Sequence, residues 1–208
     1  MSYLKKVFSG VCAGILISIG GAVFLACENR YVGAVLFTVA LLCICLKGYS
    51  LYTGRIGFIV ETHDKEYFSG LTLGLLGNAI GTIGCGYAIR LALPKLGEAA
   101  QTLCTGKLDQ SFAQTLIRGI FCGVLMYLAV SVYKEKNNVI GVIFCIPVFI
   151  LAGFEHSIAD LFYFAASGIV SLQAFGFIWT VILGNSIGAV ILPLLMMNFK
   201  GKKNEQKG

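Results

Sequence analysis

Charge is what this sequence has least of. Only 12% of its 208 residues are Asp, Glu, Lys or Arg, against 57% hydrophobic residues and a mean hydropathy of +0.84. Soluble domains carry roughly 25% charged residues, so an ordinary soluble enzyme is excluded and a multi-span membrane protein is expected. Paired cysteine motifs are also missing. Eight cysteines (12, 27, 43, 45, 85, 104, 122 and 145) form no CxxC pair, and most lie inside apolar runs. They read as small hydrophobic thiols in a reduced interior. Histidine occurs twice, at His63 and His156. Glu155, His156 and Asp160 could suggest a metal hydrolase, since His156 and Asp160 share a helix face, but a zinc centre usually needs three protein ligands and the other histidine, His63, falls in a short loop expected to be cytoplasmic. No Gly-x-Ser-x-Gly element or serine–lysine pair opens a helix. An intramembrane hydrolase is the weakest reading, and neither metal nor organic cofactor is expected. The first apolar run is long, Gly-rich and without a clean cleavage site, unlike a signal peptide.

What fills the sequence is apolar runs at roughly 7–27, 31–52, 68–93, 112–133, 138–166 and 174–198. A span takes about 20 apolar residues, so six transmembrane helices are expected in a single all-α membrane domain covering residues 1–208. Lys5, Lys6, Lys65, Lys134, Lys136, Lys200, Lys202, Lys203 and Lys207 fall on one side of that arrangement. Arg30, Arg90, Lys95, Lys107 and Arg118 fall on the other. Because cationic loops stay inside, both termini are expected in the cytoplasm, with 201–208 as a basic tail beneath a cell (inner) membrane. The net charge of +6 is then a topology signal, and no nucleic-acid partner is expected.

Two features break the monotony. Gly153-Phe154-Glu155-His156-Ser157-Ile158-Ala159-Asp160 puts ionisable groups inside an apolar run. Such groups are costly in lipid and mark transport paths or proton relays, and histidine changes charge near neutral pH. The second feature is a repeat, Leu76-Gly77-Asn78-Ala79-Ile80-Gly81 against Leu183-Gly184-Asn185-Ser186-Ile187-Gly188. Glycines at this spacing let helices approach closely, and a buried asparagine bonds across the contact. With three spans per half (about 1–105 and 106–200), the halves must be inverted, an architecture whose sites lie on broken helices near the midplane. The expected breaks are Lys47–Arg55 in span two and Gly153–His156 in span five. Thr53 precedes Asn78 by 25 positions (78 − 53) and His156 precedes Asn185 by 29 (185 − 156). Thr53 and His156 are therefore expected to meet at the centre. Glu155 is expected to support the break through freed backbone or a neighbouring subunit, as are Asn78 and Asn185 through their amides. Lys47 and Arg55 either line a pore or snorkel to the interface.

On Gly153-Phe154-Glu155-His156-Ser157, Leu51-Tyr52-Thr53 and the two Gly-Asn-x-x-Gly elements, the chain resembles the formate/nitrite transporter family over nearly its whole length. The resemblance implies an aquaporin-like six-helix protomer in a homopentamer, with one pore per subunit for small monovalent anions. Formate or nitrite comes first, with hydrosulfide, acetate or lactate as alternatives, and the bilayer and protons as further partners. It puts the central histidine on His156, the loop threonine on Thr53 and the entry lysine on Lys107. The pore-narrowing side chains fall on Phe37, Leu41 and Phe149. The chain departs from the family pattern at Ser50, at Tyr52 in place of phenylalanine, and at Gly123 and Asp160 in place of asparagines. Two roles are open for His156 in carrying an anion past the apolar centre, donating a hydrogen bond or passing a proton.

Overall fold

Each long apolar run begins at a polar residue that can take up orphan backbone N–H groups, and that is where the helices start. The computed structural model describes residues 2–205, with side chains as far as residue 197. The end of the expected basic tail, 206–208, lies outside the described residues. Ser2 caps α1 (Tyr3–Ala26) and Asn29 caps α2 (Arg30–Lys47), its Oδ1 accepting from Tyr31 N and Val32 N. Asp64 caps α4 (Lys65–Ala92). A reciprocal Ser111/Gln114 box opens α6 (Phe112–Lys136). Between them, α3 (Tyr52–Arg55) runs into a 3-10 turn at Ile56–Val60, and α5 (Pro94–Leu108) starts on a proline. The second half ends with α7 (Ile140–Ala152), α8 (Ser157–Ser167) and α9 (Leu172–Glu205).

Among the described residues, five helices are long and apolar enough to cross a membrane, and α7 with α8 forms a sixth, broken span bent by 53°. The protein is all-α, and its packing repeats between the halves. Helix α1 lies along α4 as α6 lies along α9, and α2 meets α7 at the centre. The first residue of α2 reaches the last turn of α7, where Arg30 Nη2 donates to Ile150 O at 3.2 Å. Those two helices therefore run in opposite directions, as an inverted repeat requires. Close approach is what the paired glycines provide. A Cβ on Gly14 would sit 2.6 Å from Asn78 O, and one on Gly184 would sit 2.7 Å from Leu116 O.

Candidate functional site

The repeated asparagines hold the two breaks open in the same way. Helix α2 ends at Gly48 (φ 67°) and α7 at Gly153 (φ 75°). Each glycine adopts the left-handed conformation that an L side chain resists. Beyond them, Tyr49 N returns to Ile44 O at 3.0 Å and Phe154 N to Phe149 O at 2.9 Å. Asn78 Nδ2 donates to Gly10 O and Ser50 O, both at 2.8 Å, while its Oδ1 accepts from Tyr52 N at 2.9 Å. Asn185 Nδ2 donates to Gly119 O at 2.9 Å and Glu155 O at 2.8 Å, and its Oδ1 accepts from Ser157 N at 2.9 Å. Both side chains are fully buried, so each amide satisfies two backbone groups that the break would otherwise orphan in an apolar interior and ties the break to a neighbouring helix through a third, Gly10 O of α1 or Gly119 O of α6.

This pattern sets the register between the halves. Ser50 corresponds to Glu155, Tyr52 to Ser157, and Leu51 to His156. Thr53 Oγ1 and His156 Nε2 do meet, at 2.8 Å, but they are not equivalent positions. By this register Thr53 lies two residues beyond Leu51, the counterpart of His156, and the contact is an asymmetric one made across the centre.

The imidazole is the N-cap of α8. Its Nδ1 accepts from Ala159 N at 3.1 Å, so the ring proton lies on Nε2, which donates to Thr53 Oγ1. A second proton would set an N–H against an N–H at the positive end of a helix. The site therefore holds His156 as a neutral donor. Its ring stacks on Phe149, with centroids 5.6 Å apart, and Phe149 meets Phe37 edge-on at 6.4 Å. Phe37, Leu41, Phe149, Thr53 and His156 are all buried to 3% exposure or less.

A cavity opens at each end of α2. The first, about 350 Å³, is lined by Phe37, Phe149 and His156 together with Arg30, Lys107, Arg118, Glu155 and Asp160. The second, about 260 Å³, is lined by Leu41, Leu51, Gly54, Arg55, Tyr133 and Lys134. One turn of α2, about 6 Å of rise, carries Phe37 at one cavity and Leu41 at the other. Tyr52 stays beside this path, its hydroxyl 2.8 Å from Ser186 Oγ.

Lys107 differs most from an exposed entry lysine. It lies in the last turn of α5 with its side chain 12% exposed, paired with the Glu155 carboxylate and 2.9 Å from Asp160 Oδ1. Glu155, in turn, directs its carboxylate to Lys107 and to Gln110 Nε2 at 2.7 Å. The freed backbone at the break goes to Asn185, so Glu155 supports the site through charge.

Other positions are decided by packing. Lys47 is exposed at the end of α2 and lines neither cavity, whereas Arg55 lines the second. Gly123 admits no side chain, because a Cβ there would run into Asn185 O. Nothing in the sequence marks Arg30 and Arg118 as pore residues, or Lys134 as more than a topology signal. A cation at the end of a span reads the same whether it faces lipid headgroups or a pore. Among the described residues, no group of three His, Cys, Asp or Glu side chains could hold a metal ion.

A family model described as "Formate/nitrite transporter" matches residues 1–199. The "Formate-nitrite transporter" of Plasmodium ovale is 26% identical, over 99% of this chain and 79% of that protein. A Bacillus subtilis (strain 168) protein described as "Uncharacterized transporter YrhG" is 29% identical, over 78% of this chain and 65% of its own length. Among solved structures, a "Pentameric formate channel with formate bound" superposes with a TM-score of 0.79 at 21% identity, covering 95% of this chain and 96% of that one.

Proposed function

Because the chain belongs to the formate/nitrite transporter family, and is thereby a transporter and not an enzyme, we propose that it conducts small monovalent anions, formate or nitrite first, as a homopentamer with one pore per subunit. The pentamer rests on the solved pentameric formate channel whose fold it shares. One observation carries the reading. A buried pinch of Phe37, Leu41 and Phe149, with a hydrogen-bond donor in it, separates two cation-bearing cavities at opposite ends of one helix.

Moving an anion through such a pinch means stripping its water, which costs several kcal/mol or more when nothing replaces it. Arg30 and Arg118 raise the anion's local concentration in the first cavity by attraction, whereas the charge of Lys107 is taken up by Glu155 and Asp160. At the aromatic ring, His156 Nε2–H turns from Thr53 to the anion and replaces part of the lost hydration. Of the two roles open for His156, its cap on α8 favours this donation, because Nδ1 is already occupied by a backbone N–H. Arg55 and Lys134 receive the anion in the second cavity, on the face expected to be cytoplasmic. Coupling to protons is part of the proposal, since a weak acid crosses an apolar pinch far more cheaply in its neutral form.

The test is competition flux in proteoliposomes over formate, nitrite, hydrosulfide, acetate and lactate at two pH values. Formate or nitrite is expected to carry the highest flux. Precedence of hydrosulfide, acetate or lactate would reassign the substrate, and flux no higher than in empty vesicles would end the anion reading.

A further inference from the structure

A neutral His156 leaves open where a transport proton is held, and the answer lies one turn away. Glu155 and Asp160 are among the most deeply buried acids of the chain, with side chains 3% and 1% exposed, and both are bound to the single ammonium of Lys107. With both carboxylates ionised, this site would carry one uncompensated negative charge away from water, a costly arrangement unless a partner or a proton neutralises it. No second cation is in contact: among the described residues, the ion pairs of Glu155 and Asp160 are both with Lys107. The oxygens are not equally occupied. Asp160 Oδ1 takes Lys107 and Glu155 Oε1 takes Gln110, but Asp160 Oδ2 is buried with no hydrogen-bond partner. An orphaned carboxylate oxygen in a site with one negative charge too many is where a proton belongs.

We infer that Glu155 and Asp160 hold one proton between them beside Lys107, carried on Asp160 Oδ2, and that this carboxyl pair is the proton donor to an anion in the first cavity. Both residues line that cavity, next to His156 and Phe149. The step balances. The Asp160 O–H bond breaks and an O–H bond forms on the anion, which goes on through the aromatic pinch as a neutral acid. The pair, briefly doubly ionised against Lys107, regains a proton from water on the first-cavity side. One proton thus moves with each anion, and no net charge crosses.

The surroundings of Asp160 offer few competitors. Lys107 and Cys104 come from α5, Cys122 and Arg118 from α6, Glu155 and His156 from the break, and Tyr163 from α8 itself, with Arg30 of α2 at the cavity. Of these, Lys107 and the two arginines are cations. The cysteines and the tyrosine are neutral groups with ordinary pKa values above 8. His156 is committed to its cap.

The donor role rests on the transport reading, whereas the shared proton does not, and the experiment separates them. Infrared spectra of the full chain in lipid at neutral pH should contain the carbonyl stretch of a buried carboxylic acid, shifted by exchange into D2O. Asp160→Asn and Glu155→Gln should each abolish it, because either leaves one carboxylate balanced by Lys107. His156→Asn should leave it in place. In proteoliposomes, formate-driven proton uptake should be lost in Asp160→Asn and retained in Lys47→Gln, an exposed position that lines neither cavity. Absence of the band in the parent, or its survival in Asp160→Asn, would overturn the shared proton. Proton uptake that persists in Asp160→Asn would overturn the donor role. A parent that has the band but carries no formate would sink the transport reading and leave the proton site standing.

Discussion

His156 spends both ring nitrogens inside the protein, and this sets what its replacement does. Ala159 N needs an acceptor at the start of α8, and Asn can supply one where Ala cannot. Losing an N-cap costs about 1 kcal/mol. His156→Ala should therefore melt at a lower temperature in detergent than His156→Asn, and coincident melting curves would remove the cap from the account. The aromatic neighbours govern size. Phe149 closes the ring against Phe37, so Phe149→Ala should raise acetate and lactate flux relative to formate. An unchanged ratio would mean that the pinch lies elsewhere. His156 was legible as a candidate because an ionisable residue stands out against an apolar background, whereas Phe37 and Phe149 came from the family resemblance alone. The tautomer of the ring was not legible, since it depends on which backbone N–H the fold brings to Nδ1.

At the scale of elements, the turn from α2 into α3 and the break between α7 and α8 survive in an apolar interior because one amide from a neighbouring helix repairs each. Asn185→Ala would leave Ser157 N and Glu155 O without this partner and remove the tie to Gly119 O of α6 at once. Buried groups left without partners cost about 1–3 kcal/mol each. The variant should unfold at a much lower temperature or fail to assemble, and Asn78→Ala should behave alike because its three partners match. A wild-type melting point in either would refute the repair. The positions of the breaks were readable from glycine and polar residues in the runs. Their mutual register was not, because equal spacing along the chain cannot say which backbone N–H each asparagine takes.

For the whole molecule, the inverted halves put α1 and α9 on matching sides of the bundle, as six spans require. Cysteines introduced at Ser2 and at Gly201 should react with an impermeant thiol reagent from the same face, and labelling from opposite faces would break the six-span topology. Many large apolar side chains remain outside the core, among them Leu76, Ile80, Phe175 and Trp179, as expected of a surface covered by lipid or by further copies. Mass measurement of the intact complex in detergent should return five chains, and any other stoichiometry would remove the pentamer from the proposal.

The amino-acid sequence alone determined the membrane class, six spans, two inverted halves and the two breaks. Those follow from hydropathy, the placement of charge and a short repeated motif, all of which act locally or through the cost of burying polar groups. Tertiary structure decided the electrostatics. Lys107, Glu155 and Asp160 come from α5, the break and α8, and only their packing makes them one buried cluster with more carboxylates than cations. Coulomb energy depends on distance and on exclusion of water, and neither is written in the order of residues along a chain.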